Sequence, residues 1–101
     1  MSWSSNAMPV SDWLTKGILE TPVTVGVTAT ALPATAASDR RHISIYNNSG
    51  STIFLGSAAV TVARGFPLPN GGTFSISLDA AVVIYGICSA ADKNVRVLEG
   101  W

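Results

Sequence analysis

Apolar and polar positions alternate with a period of two over most of this chain, and the alternation predicts its elements. From Thr21, Val23, Val25 and Val27 alternate with Thr24, Gly26 and Thr28, as in a half-buried strand. Pro33 ends that ladder, and small residues run on to Asp39. Arg41 to Asn47 alternates again, with Ile43 and Ile45 expected inward and Ser44 and Tyr46 outward. Asn48-Ser49-Gly50-Ser51 has the chemistry of a four-residue hairpin turn, since Asn tolerates and Gly supplies positive φ. Thr52 to Gly56 returns, with Ile53 and Leu55 on one face and Phe54 on the other. A short strand is expected around Val60 and Val62, followed by a loop from Gly65 to Gly72 that Pro67 and Pro69 stiffen. Phe74, Ile76 and Leu78 face inward on the next strand. Val82 to Cys88 is apolar on both faces and suits a buried strand, and Val95 and Val97 face inward on the last.

About seven short strands, spaced by roughly 8–12 residues and with no sustained helical period, predict an all-β fold. Its architecture is an antiparallel β-sandwich or a jelly-roll-like small barrel, because short loops favour antiparallel pairing. The β domain is expected over 21–101, behind an extended N-terminal arm over 1–20. In that arm Ser11 caps at most one helical turn before Gly17 interrupts it. The segment Ser5-Asn6-Ala7-Met8 resembles a cloning scar, which makes Met8 a second candidate start. Trp3 and Trp13, with Leu14, Ile18 and Leu19 close behind, are costly to leave in water, so the arm reads as a docking segment.

Composition narrows the function. Only 12% of the 101 residues are charged, six basic against six acidic, so the net charge is zero. A neutral, charge-poor surface favours association with other protein. It also speaks against nucleic acid, since the one adjacent basic pair, Arg40-Arg41, supplies no stripe of charge and reads as a solvated strand edge. The apolar runs fall well short of the roughly 18 residues of a membrane-spanning helix, so no membrane partner is expected. Residues 1–20 lack a basic start and an apolar core, so synthesis in a cytoplasm without export is the expectation. Cys88, alone in an apolar run, reads as a buried thiol.

Candidate chemistry is sparse. His42 is the single histidine, and with one Cys it falls short of the three or four ligands a zinc site takes. The carboxylates Asp12, Glu20, Asp39, Asp79, Asp92 and Glu99 fall in turns, in the arm or at a strand end, where acids usually cap and solvate. The sequence has no G-x-S-x-G elbow, and the Gly65–Gly72 loop lacks the Lys-Ser/Thr ending of a phosphate cradle. No catalytic, metal or cofactor-binding residue is assigned, and a non-enzymatic role is expected.

A longer pattern carries more. It begins with Arg41, the strand Ile43-Ser44-Ile45-Tyr46-Asn47, a polar turn and Thr52 to Gly56. It continues through Val60 to Val62, the spaced Gly65, Leu68 and Gly71-Gly72, Phe74 to Leu78, and Ile84 to Ile87. This succession, about half the chain, resembles small structural proteins of tailed-bacteriophage virions. The resemblance implies a β-sandwich or jelly-roll virion component, usually a homotrimer, most like a capsid decoration (cement) protein that clamps major capsid subunits. Tail, baseplate or head-fibre proteins of similar build are the alternative within that class. A carbohydrate- or receptor-binding module is the alternative outside it, with Tyr46, Phe54, Phe66, Phe74 and Tyr85 as candidate platform aromatics. The expected protein-interface residues are Trp3, Trp13, Leu14, Ile18, Tyr46, Phe54 and Trp101.

Overall fold

The computed structural model describes residues 14–101. It contains eight strands: β1 (Ile18–Val25), β2 (Thr30–Leu32), β3 (His42–Asn47), β4 (Ile53–Gly56), β5 (Phe66–Leu68), β6 (Thr73–Ser77), β7 (Ile84–Ile87) and β8 (Lys93–Gly100). They form two four-stranded antiparallel sheets, β1-β8-β3-β6 and β2-β7-β4-β5. The pairs β1·β8, β2·β7, β3·β6 and β4·β5 are nested, as in one long hairpin folded from its ends to its middle. Rolling that hairpin brings β8 beside β3 and β7 beside β4, which completes both sheets. This is the jelly roll, one of the two architectures the alternation left open.

The core lies between the sheets. Val25, Ile43, Ile45, Val95 and Val97 enter it from the first sheet, and Leu32, Ile53, Leu55 and Leu68 from the second, with Cys88 buried beside them. The inward positions expected on β3, β4 and β8 are those observed, because period two is strict there and β-branched residues fill the pleat.

Elsewhere the strands differ from expectation, in ways that have local causes. The ladder from Thr21 is two strands: β1 already begins at Ile18, inside the expected arm, and the chain turns after Val25 to make β2. Val27 lies in that turn and is exposed. Val60 and Val62 form no strand. The chain there makes tight turns, with Val60 N donating to Ser57 O at 2.9 Å and Gly65 N to Thr61 O at 2.8 Å. Val60 is nevertheless buried, because Gly56 and Gly65 leave room for it: a Cβ on Gly56 would lie 2.8 Å from its Cγ2, and one on Gly65 3.0 Å. The expected loop Gly65–Gly72 contains β5, whose three residues pair with β4. Val82 and Val83 precede β7 and are exposed, so the buried strand is only Ile84–Ile87. Ile76, inward by register, is partly uncovered because β6 is an edge strand.

Candidate interaction surface

Two buried polar hubs hold the loops that frame the surface. The first is Arg40 with Glu99, both expected at wet positions and both buried. Glu99 shares the parity of Val95 and Val97 on β8, so its side chain points inward. Arg40 follows Asp39, whose φ of 62° turns the backbone ahead of it. Arg40 Nη1 donates to Glu99 Oε2 at 2.9 Å, and Nη2 donates to the carbonyls of Asp79 (3.1 Å) and Val82 (2.6 Å). Glu99 Oε2 also accepts from Ala37 N at 3.0 Å. One ion pair therefore ties the β2–β3 loop, the β6–β7 loop and the last strand together. A buried pair of this kind contributes little net stability against an apolar replacement, but removing one partner strands the other charge.

The second hub is Asn47, inward by the parity of Ile43 and Ile45 and fully buried. Its Nδ2 donates to Ser51 O (2.7 Å) and Leu68 O (2.8 Å), and its Oδ1 accepts from Ser49 N (3.0 Å) and Ser49 Oγ (2.6 Å). Its backbone N donates to Gly72 O at 3.0 Å, and its carbonyl accepts from Gly71 N. Asn70 Oδ1 then accepts from Gly50 N at 2.8 Å, so the hairpin tip and the turn before β6 are fixed to each other.

With the loops fixed, the first sheet turns an ordered face outward. Cross-strand register sets its rows: Ile18, Gly100, His42 and Ser77; then Glu20, Leu98, Ser44 and Ser75; then Pro22, Arg96, Tyr46 and Thr73. Ile18 is 67% exposed, and Leu98 and Tyr46 are exposed large apolar residues. Hydroxyls surround them: Ser44 Oγ and Ser75 Oγ share a hydrogen bond at 2.7 Å, and Ser44 Oγ lies 3.4 Å from His42 Nε2. Among the described residues no carboxylate hydrogen-bonds His42, so this row is a hydroxyl ladder and lacks the oriented base of a nucleophilic site. Glu20 and Arg96 are the two full charges in these rows. Exposed aromatic and large apolar side chains with little charge are features of the core of protein–protein contacts.

The expected interface residues divide among several places. Trp3 and Trp13 lie outside the described residues. Ile18 and Tyr46 share the outer face of the first sheet, and a Cβ on Gly100 would meet Leu14, which places Leu14 at the rim of that face. Trp101 is tied down within its own chain: its carbonyl accepts from Lys16 N (2.7 Å) and Gly17 N (2.9 Å), and its half-buried ring packs over Gly17. Phe54 is half-buried on the outer side of the second sheet, opposite Pro67 and Ile87. The five candidate platform aromatics do not share a surface either. Tyr46 is on the first sheet, Phe54 and Tyr85 are on the second, and Phe66 stacks on Phe74 (centroids 5.8 Å apart, tilted 56°) at the open edge. Leu98 was missed, although its parity opposite to Val97 marks it as outward.

Among the described residues no group of three or more His, Cys, Asp or Glu is placed to hold a metal ion, and no helix is long and apolar enough to cross a membrane. Cys88 is a free, buried thiol, 3.5 Å from Thr52 O.

Fold and surface together define a small jelly-roll domain with pinned loops and a charge-poor outer face. No family model and no curated protein matches the chain. Among solved structures it is similar to a chain from work describing Bacillus endospore appendages as a family of disulfide-linked pili. The two are 18% identical, the match covers 95% of this chain and 97% of that one, and the TM-score is 0.43, too distant a likeness to speak to function.

Proposed function

We propose that this chain is a structural protein of a tailed-phage virion, a capsid decoration protein that bridges neighbouring major capsid subunits and is no enzyme. The observation that carries this reading is the outer face of the first sheet. There exposed Ile18, Leu98 and Tyr46 stand among hydroxyls with little charge, on strands that the Asn47 and Arg40–Glu99 hubs hold rigid. The sequence resemblance supports it: its residues lie on β3 to β7, and its polar turn, Leu68 and Gly71-Gly72 meet at Asn47.

Binding follows from the surface. The apolar side chains supply area, the hydroxyls supply exchangeable hydrogen bonds, and the rigid sheet loses little entropy on docking. Each contact is modest, and many copies over a shell sum to stiffening against the pressure of packaged DNA. The test uses heads assembled from the major capsid protein of the phage whose genome carries this gene. Leu98→Glu places a desolvated charge in the middle of the face, and is expected to abolish co-sedimentation with heads while leaving the circular dichroism spectrum unchanged. Undiminished binding by that variant would overturn the assignment of this face.

A further inference from the structure

A sandwich has four edge strands, and here three are blunted. On β1, Gly17 and Trp101 exchange backbone hydrogen bonds, so by alternation Glu20 and Pro22 turn their backbone groups to the open side. Pro22 has no N–H to offer there, and Glu20 adds charge. β2 has three residues and runs directly into Pro33, and β5 is Phe66-Pro67-Leu68.

The fourth edge, β6, has no such device. Its sequence, Thr73-Phe74-Ser75-Ile76-Ser77, contains no charge, no Pro and no Gly. Asn47 with Gly72 and Arg41 with Leu78 are hydrogen-bonded positions of the β3·β6 ladder. Alternation therefore gives the backbone groups of Phe74 and Ile76 to β3 and turns those of Thr73, Ser75 and Ser77 to the open side. Beside that edge stands an uncovered apolar seam: Phe66 is 60% and Ile76 40% exposed, with the half-buried Phe74 stacked against Phe66.

We infer that β6 is a self-association edge, whose occupant is β6 of a second copy, antiparallel and centred on Ser75. The strand is complementary to itself in this register. Ser75 faces its own counterpart, Thr73 faces Ser77 of the second copy, and these open-side pairs exchange backbone hydrogen bonds. Phe74 then faces Ile76 in the closer, non-hydrogen-bonded pairs, apolar against apolar, while the hydroxyls continue the Ser44–Ser75 ladder across both sheets. With zero net charge there is no long-range repulsion between copies. A five-residue strand pair is about 17 Å long, and buries less than the roughly 800 Å² per partner of a stable interface. The dimer is therefore concentration-dependent in isolation and reinforced where copies are held side by side. This inference stands on the edge geometry and does not need the virion reading.

Variants of the full chain with one added cysteine test it, since the native Cys88 is buried. In a hydrogen-bonded pair the Ser75 Cα atoms would sit about 5.5 Å apart, within disulfide range. Ser77 and its counterpart would be offset by four residues, roughly 13 Å, and out of range. Ser75→Cys is expected to form a disulfide dimer under mild oxidation about tenfold or more faster than Ser77→Cys. Ser75→Pro removes the open-side N–H and leaves the β3·β6 backbone ladder in place, losing only the hydroxyl bond to Ser44, and is expected to abolish the dimer in native mass spectra at high protein concentration. Thr73→Lys, which puts a charge at an exposed position of the edge, should do the same should Ser75→Pro fail to fold. Equal crosslinking of both cysteine variants, no dimer from Ser75→Cys, or a trimer indifferent to Thr73→Lys would each overturn the inference.

Discussion

Asn47→Ala tests most sharply how the fold is held. The side chain makes four hydrogen bonds, two donated to the carbonyls of Ser51 and Leu68 and two accepted from Ser49. The bond to Leu68 O is buried, and truncation leaves that carbonyl with only its ladder partner Ile53, a cost of about 1–2 kcal/mol. The other three are partly buried, water replaces them in part, and together they contribute about 1–2 kcal/mol. The sum is about 3 kcal/mol, a large share of the roughly 5–15 kcal/mol that holds a small domain folded. It corresponds to a fall in Tm of about 12–24 °C at roughly 4–8 °C per kcal/mol. Asn47→Asp keeps the acceptor for Ser49 but turns a carboxylate oxygen towards two carbonyl oxygens, so it is expected to be at least as destabilising at pH 7. The folded state disfavours that carboxylate and binds its proton more tightly than the unfolded state does. The Asp variant should therefore regain stability as pH falls towards the usual carboxylate range and lose it as pH rises. Urea denaturation at pH 7 and near pH 4 reads both effects. An Asn47→Ala protein within about 1 kcal/mol of the parent, or an Asp variant that outlasts the Ala variant at pH 7, would refute the reasoning.

Other consequences are simpler to read. Glu99→Ala leaves Arg40 charged and buried, and is expected to cost about 3–5 kcal/mol in urea melts, whereas the double change Arg40→Met with Glu99→Leu should recover most of it. Gly65→Ala sets a Cβ 2.5 Å from that of Phe54 and 3.1 Å from Thr61 O, and should cost about 1–3 kcal/mol by overpacking, seen as a lower Tm. Tyr46→Ala, at an exposed position, is expected to leave Tm within about 2 °C of the parent while weakening head binding in sedimentation titrations.

How much of this was legible in the chain depended on strand length. β3, β4 and β8 were readable because alternation persists there and β-branched residues mark the inner positions. β2 and β5 were not, because three residues cannot show a period and Pro33 and Pro67 read locally as breakers. They are strands only because longer neighbours supply ladder partners, a tertiary cause that local pattern does not contain. The polar hubs were nearer to reach. Extending the inner parity of Ile43 and Ile45 by two residues gives Asn47, and extending that of Val95 and Val97 gives Glu99. A carboxylate at an inward position needs a cation, and Arg40 was misread because adjacency to Arg41 suggested a wet edge. Leu98 and Ile18 on the outer face follow from the same parity, but which face is left open depends on how the hairpin rolls.

The central claim is that the outer face of the β1-β8-β3-β6 sheet binds a phage head. Its most direct measurement is co-sedimentation of the purified chain with phage heads assembled from a purified major capsid protein of the proposed source phage. The account predicts saturable pelleting at micromolar protein, with Leu98→Glu remaining in the supernatant. Parent protein that stays wholly in the supernatant with such heads would contradict it.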